Sequence, residues 1–531
     1  ISGGEEFLPG SHLKFVRTAE DDFFKRGSYK QTYGKSFSVS SDINLNYSHN
    51  WDKHILFANL GANIRSGNSE EYIHSAVGFP NDKMDNIIFA KQYADNSKPT
   101  GSESIDREVG TLLAVNYSYD DRYLADFSLR ASASSQFGSD NRWGTFWSAG
   151  LGWNVHNEAF FKDSGVVRQL RLRASMGYTG SQNFNSYQGM LLYNYFTDDS
   201  YLDFIGTYLE GLANSKLKWQ QKFDTNYGID MNLWGRLNVK FDYYRSVTNN
   251  LLTDITTPPS LGFNSYKDNL GKLLNTGYEF NVNYLVLTRP EDRMSLNVFV
   301  AGTSNKNKIK EISNSLSSLT SSQDKEAANS NKPFVRFVEG QSLNAIWAVR
   351  SKGIDPSSGK EVFVRPDGTL TDTWSALDQV VCGPKLMGNV GFTFEYKGLS
   401  VSFTGLYRIG EYMYNQTLVD KVENAQLNYN VDKRAYYDAW MKEGDNVQFK
   451  SIGAWNKPTQ ATSRFVQKLN EFDFSALSIG YDFYRFGFVE KCGLERLQLQ
   501  FNMNDIGKIS SVQIERGTSY PFARYCSFTL N

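Results

Sequence analysis

The chain has 531 residues, and its 56 basic and 57 acidic side chains leave a net charge of -1. Because no positive potential is concentrated anywhere, we predict no nucleic-acid partner. Aromatic residues make up 15% of the chain, yet its mean hydropathy is only -0.47. No segment approaches the roughly 18 consecutive apolar residues of a transmembrane helix, which excludes a helical membrane protein.

Apolar and polar residues alternate with a period of two along most of the chain. Such a period predicts β-strands with one apolar and one polar face. The alternation is clear in residues 37–47, 123–130, 147–155, 170–178, 227–233, 237–243, 278–284, 401–407 and 497–504. Between Phe474 and Ile479 the phase slips by one residue, which predicts a β-bulge.

The polar positions carry charge, and this suggests where they point. Arg171 and Arg173 lie between the apolar positions of one predicted strand. An arginine that faced lipid near the bilayer midplane would cost about 2 to 4 kcal/mol, whereas in a hydrated lumen it would cost little. The pattern therefore predicts a membrane-spanning barrel that is apolar outside and polar inside.

Connections between the predicted strands alternate between short and long. The short ones are 49–52, 120–122, 234–236, 288–293 and 397–398, and the mostly long ones are 66–104, 181–218, 248–270, 305–386, 410–470 and 505–521. Outer-membrane barrels have short periplasmic turns and longer extracellular loops, so this asymmetry orients the molecule. Aromatic residues beside the short turns are predicted to form the inner aromatic girdle, although soluble sheets also place aromatics there: Tyr119, Tyr123, Trp234 and Tyr396.

The pattern predicts about sixteen antiparallel strands, from near His12 to Asn531. The last strand then runs toward the short-turn side. Because the first strand runs outward, we expect an even number of further strands to precede it in a larger barrel.

An ordered series of short motifs resembles the barrel signature of the SusC/RagA-like TonB-dependent transporters. The motifs are Tyr119-Asp-Asp-Arg-Tyr123, Leu129-Arg130, Gln136-Phe-Gly138, Asn141-Arg-Trp-Gly144, Gly152-Trp153, Asn157-Glu-Ala-Phe160, Leu170-Arg-Leu-Arg-Ala-Ser-Met-Gly177, Thr179-Gly-Ser-Gln182, Phe241-Asp-Tyr-Tyr244, Asn250-Leu-Leu252, Asn275-Thr-Gly-Tyr-Glu279, Gly353-Ile-Asp-Pro356 with Gly359, Gly383-Pro-Lys385, Ser478-Ile-Gly-Tyr481 and Tyr520-Pro521 with Arg524. The resemblance extends from about Tyr119 to the C-terminus. Before Tyr119 only the strand pattern supports it.

The resemblance implies a 22-stranded barrel, of which residues 1–531 would be the C-terminal part. The N-terminal plug, the carboxypeptidase-regulatory-like domain and the TonB-contacting segment of the family are not visible in this sequence. The resemblance further implies import across the bacterial outer membrane of oligosaccharides, or less commonly peptides. The implied partners are a SusD-like surface lipoprotein, the TonB complex acting through the N-terminal remainder of the protein, and outer-membrane lipid.

Four tryptophans on the predicted long loops are candidate ligand-binding residues, because flat indole faces can stack on sugar rings. They are Trp347, Trp374, Trp440 and Trp455. The alternative is that they anchor the loops against the barrel and bind nothing. The Ser- and Asn-rich segment 313–331 on one of these loops is equally compatible with a lid contact or a solvated loop.

No pattern of catalytic or metal-binding residues is present in the sequence. The five histidines form no HExxH motif, and Cys382, Cys492 and Cys526 are too scattered for a metal site. We therefore predict neither an enzyme nor a cofactor. Two alternatives remain at this stage: a passive porin, which needs no plug, and a secreted soluble β-rich protein that binds glycans.

Overall fold

The fold is described from a computed structural model. It covers residues 2–8, 28–80, 83–84, 86–93, 99–161, 165–181, 187, 190–201, 204–211, 214–256, 265–269, 271–312, 320, 324, 327, 329–333, 336–375, 379–380, 385–425, 430–451, 459–483, 486–513 and 524–530. Within this part of the chain no helix is long and apolar enough to cross a membrane.

Sixteen strands of the main sheet follow one another along the described chain. They are β1 (Ser2–Leu8), β2 (Ser28–Trp51), β3 (His54–Val77), β4 (Thr100–Tyr119), β5 (Tyr123–Ser134), β6 (Trp143–Asn154), β7 (Val167–Ser181), β8 (Gln220–Leu233), β9 (Leu237–Asn249), β10 (Lys272–Arg289), β11 (Met294–Glu311), β12 (Leu386–Tyr396), β13 (Leu399–Tyr414), β14 (Val466–Asp482), β15 (Gln498–Ser510) and β16 (Tyr525–Leu530). The number agrees with the prediction of about sixteen.

Each of these strands pairs antiparallel with the next, so the sheet is a continuous meander. Among the described residues no pairing joins β1 to β16, and both outer edges of the sheet are open. Short connections such as the one between Trp51 and His54 lie at one end of the sheet. The longest connections lie at the other end, as predicted, but 155–166 and 483–497 at the short-turn end are longer than the predicted short turns.

Smaller elements lie in the connections. Strands Leu192–Tyr201 and Phe204–Gly211 form a hairpin, as do Leu252–Thr256 and Ser265–Asn269, and Gln92–Tyr93 pairs with β3. Ala348–Val349 pairs with Gln379–Val380, and Ser351–Ile354, Glu361–Val364 and Leu370–Thr371 form a small sheet. The helices whose bounds are described are the 3-10 turns Ile87–Phe89, Ser139–Asn141, Val155–Asn157, Pro290–Asp292 and Ser463–Phe465, the α-helices Gln416–Leu418, Arg434–Tyr437 and Gly487–Lys491, and the π-helix Val419–Glu423.

Several predicted loop boundaries were wrong. The loop expected at 66–104 is much shorter, because β3 continues to Val77 and β4 already begins at Thr100. The other long loops are shortened in the same way at β11, β13, β14 and β15. Alternation of apolar and polar residues is required only inside the bilayer, and backbone pairing continues beyond it with polar side chains on both faces. The first described strand is Ser2–Leu8, whereas His12 lies outside the described residues.

The register of the sheet confirms the predicted two faces. Leu45 of β2 lies opposite Leu60 of β3, and both are exposed, by 67% and 54%. Their neighbours Asn46 and Asn59 also lie opposite each other, on the other face, where the Asn59 amide donates to Asn46 Oδ1 at 2.6 Å. One surface of the sheet is therefore apolar and open, and the other is polar and hydrogen-bonded.

The predicted β-bulge is confirmed. Thr404 and Gly405 of β13 pair with Ala476 and Phe474, which leaves Ser475 as one extra residue on β14. The register between β14 and β15 shifts at the same place, where Ser475 lies opposite Asp505 and Ile506. Beyond it, Leu477, Ile479 and Tyr481 lie on the same face as Met503, Phe501 and Leu499, with which they pair in that order. The bulge thus returns the apolar residues of β14 to the apolar face.

The aromatic residues predicted to flank the short turns lie at the short-turn end with exposed rings. The exposed fractions are 37% for Tyr119, 47% for Tyr123, 53% for Trp234 and 37% for Tyr396. The Tyr119 ring is 6.4 Å from that of Tyr123 and 4.9 Å from that of His54. This arrangement is a row of aromatic rings around the end of the apolar face, as an interfacial girdle requires.

Candidate functional site

The polar face of β7, β8 and β9 carries an ion-paired triad. Arg173 donates to Asp230 through two nitrogen atoms, both at 2.9 Å, and to Asp242 Oδ1 at 3.2 Å. Gly228 lies between Arg173 and Asp242 in the register and leaves room for the guanidinium to cross β8. The prediction that the arginines of β7 point to the polar face is therefore confirmed for Arg173.

Beside this triad the polar face has a depression with a volume of about 360 Å³. Its charged lining residues are Lys240, Asp242 and Glu279, and the small side chain of Ala301 also lines it. Charged and amide groups converge here on a surface that crosses the middle of the sheet. A polar molecule or segment passing along this face would therefore meet hydrogen-bonding groups of both signs.

The connections between β11 and β12 and between β13 and β14 pack together. We call the described residues of 312–385 and 415–465 the loop unit. A buried apolar cluster lies in its second connection: Leu418, Val419, Val422, Ala425, Ala435, Ala439, Phe449 and Phe465. Backbone contacts join the two connections, since Val349 N donates to Ala461 O at 3.1 Å. The long loops are therefore a packed body with its own core.

A buried charged cluster also joins the two connections of the loop unit. Arg464 binds Glu361 through two nitrogen atoms, at 2.9 and 2.8 Å, and contacts Glu423 Oε1 at 2.7 Å. Glu423 is fully buried, and Thr459 Oγ1 donates to it at 2.9 Å. Burial alone would lower the pKa of Arg464, but the two carboxylates together raise it above its ordinary value.

Lys450 is also buried in this cluster. Burial lowers its pKa, and the nearby Glu423 carboxylate opposes that effect. With both cations charged, the two carboxylates are balanced. The cluster therefore fixes the relative position of the two connections without leaving net charge in the interior.

The predicted tryptophans contact the loop unit itself. Trp347 is only 7% exposed, and the Arg336 guanidinium lies 5.0 Å from its ring centroid. The indole N–H of Trp374 donates to Ala461 O at 3.1 Å, and that of Trp440 donates to Pro356 O at 2.9 Å. Trp455 lies outside the described residues. In this conformation the three described indoles connect segments of the loop unit, and their role in ligand binding remains a prediction.

Residues 355–368 of the loop unit form ordered turns. The Asp355 carboxylate accepts the hydroxyl hydrogens of Ser358, at 2.6 Å, and Ser357, at 2.7 Å, which holds its pKa below the ordinary value. Gly359 adopts a φ of +68° and lies against the Trp440 indole, where a Cβ would collide with the ring. Most of the Ser- and Asn-rich segment 313–331 lies outside the described residues.

At the short-turn end, residues from three of the motifs meet at one carboxylate. Glu158, which is 8% exposed, accepts hydrogen bonds from Trp153 Nε1 at 3.0 Å and Tyr123 OH at 2.8 Å, and it pairs with Arg122 at 3.3 Å. These donors hold the pKa of Glu158 below its usual range. The contact explains why the motif at 119–123 and the motif at 157–160 occur together in the sequence.

Glu158→Gln is expected to lower the unfolding temperature of the detergent-solubilised protein at pH 7. A carboxyl group with a lowered pKa stabilises the folded state above its unfolded pKa of about 4.3, and this contribution is lost as the pH falls through the folded pKa. The difference from the parent protein should therefore shrink below about pH 4. Thermal unfolding at pH 7 and pH 3.5 measures it, with Glu495→Gln, at an exposed position, as the control. A difference that is constant with pH would contradict the assignment.

Sequence reasoning missed the buried cluster of Glu361, Glu423, Lys450 and Arg464. These residues are far apart in the sequence, and isolated charges within loops resemble ordinary solvated positions. It also missed Tyr436 and Tyr437, which are 60% and 76% exposed on the helix Arg434–Tyr437. The only sequence signal for this pair is two adjacent tyrosines within a long polar loop.

Comparison with known proteins gives consistent matches. The family model for the TonB dependent receptor-like beta-barrel matches residues 9–505. TonB-dependent receptor P39 of Formosa agariphila is 26% identical over 520 residues, which are 88% of this chain and 49% of that protein. TonB-dependent receptor SusC of Bacteroides thetaiotaomicron is 26% identical over 441 residues, which are 80% of this chain and 43% of that protein.

The fold also matches a solved structure. The structure of the RagAB peptide transporter superposes with a TM-score of 0.78 at 21% identity and covers 92% of this chain and 53% of that chain. The chain thus spans about half the length of the relatives that it matches.

These matches agree with the physical features of the sheet. Sixteen antiparallel strands present an apolar face bordered by aromatic rings, and most of their connections are short at one end and longer at the other. Membership in an outer-membrane family argues against the alternative of a secreted soluble protein. The relatives are named as receptors and not as enzymes. The chain belongs to the TonB-dependent receptor-like β-barrel family of the bacterial outer membrane.

Proposed function

We propose that the protein imports oligosaccharides, or alternatively peptides, across the outer membrane by TonB-dependent active transport. In this proposal a SusD-like lipoprotein closes over the loop unit and captures the substrate. The observation that carries the proposal is the combination of a charged, polar inner face with a packed loop unit at the extracellular end. The apolar outer face supplies the contact with lipid.

The width of the barrel supports an energised mechanism. A closed barrel of sixteen or more strands encloses an aqueous lumen, which would leak if nothing filled it. We propose that the N-terminal remainder of the same protein supplies a plug and the segment that contacts TonB, and that residues 1–531 are the C-terminal part of a 22-stranded barrel. The ion-paired triad of Arg173, Asp230 and Asp242 would then face the lumen.

The loop unit supports the proposal of a lid. Its apolar core and its buried charged cluster make it a preformed body, so that a partner would dock on it with little loss of conformational entropy. The exposed rings of Tyr436 and Tyr437 lie 5.3 Å apart and are nearly perpendicular, at 89°. Flat exposed aromatic faces suit the packing of sugar rings or of a partner surface.

The two candidate substrate classes have different sources. Oligosaccharides are what the resemblance to the SusC-like transporters implies, and peptides are suggested by the structural match to a peptide transporter. We therefore test both classes in the source bacterium. Uptake of fluorescent oligosaccharides and of fluorescent peptides should be compared in the parent and in a deletion strain, with and without a protonophore. Loss of uptake on deletion and on de-energisation supports the proposal, whereas uptake that resists de-energisation indicates a passive porin.

Replacing both exposed tyrosines tests the role of the loop unit. Tyr436→Ala with Tyr437→Ala should reduce capture of the imported substrate several-fold and leave barrel assembly unchanged, because both rings point away from the core of the loop unit. Uptake rate at low substrate concentration is the measurement. Tyr525→Ala is a matched control, since that ring is 74% exposed on β16, outside the loop unit. Equal uptake by the double variant and the parent would remove these residues from the capture surface.

A further inference from the structure

A group of aromatic rings extends the apolar face beyond the end of β14. We call Tyr481, Phe483, Phe486 and Phe488 the aromatic foot. The ring centroids of Tyr481 and Phe483 are 4.9 Å apart, and Phe483 lies 5.5 Å from Phe486 and 6.1 Å from Phe488. All four rings therefore form one connected cluster, which includes the start of the short helix Gly487–Lys491.

The aromatic foot faces outward. Tyr481 lies opposite Leu499 on β15 and opposite Leu399 on β13, and these positions belong to the apolar outer face. Phe483 follows Tyr481 by two residues and so continues the same face. Val489 of the helix is only 4% exposed and packs against the protein. Phe486, which precedes the helix, and Phe488 within it remain 44% and 45% exposed.

Basic residues occur in the same connection. Lys491 ends the helix, whereas Arg496 pairs at 2.9 Å with Asp482, whose side chain lies on the polar face next to Tyr481. Aromatic rings with basic residues at their border are the composition found at the headgroup level of a bilayer, where rings and the stems of basic side chains lie in the interface. If the foot lay in water, the rings of Phe486 and Phe488 would be exposed to solvent next to a surface that lipid already covers.

We propose that the aromatic foot inserts into the periplasmic leaflet of the outer membrane and anchors the connection between β14 and β15 to phospholipid. Phospholipid is the expected contact of the foot, because Tyr481 belongs both to the lipid-facing surface and to the foot. The proposal requires the membrane location of the barrel and is independent of what the barrel transports.

Site-directed spin labelling of the full-length protein in phosphatidylethanolamine and phosphatidylglycerol vesicles tests the proposal. The native cysteines are replaced by serine, and a nitroxide is attached at Phe488→Cys or, separately, at Phe486→Cys. Glu495→Cys, at an exposed position in the same connection, is the aqueous control, and Leu499→Cys is the lipid-facing control. Heat-modifiable electrophoretic mobility selects the variants that have assembled.

The foot labels should collide several-fold more often with oxygen, and less often with a water-soluble nickel complex, than the Glu495 label. Their ratio of the two collision rates should resemble that of the Leu499 label. A ratio equal to that of the Glu495 label would overturn the proposal, because the rings would then lie in water. Low collision rates with both reagents would also overturn it, because protein would then cover the foot. The two foot positions are independent, so one variant that fails to assemble leaves the other informative.

Discussion

Met503→Arg is expected to prevent stable assembly in the outer membrane, whereas Asn502→Arg is expected to be tolerated. Met503 lies between Leu477 and Cys526 on the apolar face. Tyr481 lies in register with Tyr396 of the aromatic row, through Leu399 of β13. Met503 is four residues of tilted strand, roughly 10 Å, from Leu499, the partner of Tyr481. That depth is close to the bilayer midplane, where an arginine costs about 2 to 4 kcal/mol.

The control position differs only in the face that it occupies. Asn502 lies opposite Ser478 and accepts a hydrogen bond from Gln500 Nε2 at 3.0 Å. An arginine there would extend into a hydrated, polar surface. Leu499→Arg should be intermediate, because Leu499 pairs with Tyr481 at the interface, where the cost of a charge falls to about 0 to 1 kcal/mol.

Heat-modifiable mobility and the yield in outer-membrane fractions measure this series. The order of yields should be parent, Asn502→Arg, Leu499→Arg and Met503→Arg, from highest to lowest. Equal effects at Met503 and Asn502 would contradict the two faces of β15. Equal effects at Met503 and Leu499 would leave the faces intact but contradict the depth inferred from the aromatic row.

The sequence predicted the transmembrane part of the fold well, because that part obeys a local rule. A residue such as Met503 must be apolar if it faces lipid, and its neighbour Asn502 is free to be polar, so two-residue alternation reveals strands, faces and even the bulge near Ser475. The rule ends at the membrane boundary. For this reason the extension of β3 to Val77 was not predictable from alternation.

The loop unit was not predictable for a different reason. Its contacts join residues that are distant in the sequence, such as Glu361 and Arg464, and nothing in either local sequence marks the pair. The candidate tryptophans were visible as residues, but their environment was not. Only the packing shows that Trp347 is buried beneath Arg336 while Tyr436 and Tyr437 are open.

Arg464→Leu is expected to destabilise the loop unit by about 3 to 5 kcal/mol, because it leaves buried carboxylates without their main partner. Arg464 and Glu361 have side chains that are 8% exposed, and that of Glu423 is fully buried. Water cannot replace the lost contacts at these positions. Lys450 alone would then face both negative charges in a dry environment, and the two connections of the loop unit should separate.

Limited proteolysis of outer-membrane fragments measures this loss. Cleavage within residues 312–385 and 415–465 should become much faster, while heat-modifiable mobility of the barrel stays unchanged, because the strands do not depend on the cluster. Arg464→Lys should be intermediate, since it keeps the charge but loses the two-pronged contact with Glu361. Arg496→Leu is the matched control, because its pair with Asp482 is exposed and such pairs contribute only about 0 to 1 kcal/mol.

The same variants connect loop packing with substrate capture. If the loop unit must be preformed to present Tyr436 and Tyr437, then Arg464→Leu should reduce uptake at low substrate concentration as strongly as loss of both tyrosines does. Uptake that remains at the parental level despite rapid cleavage would show that capture does not need a packed loop unit. In that case the buried cluster would serve only to protect the long connections from proteolysis.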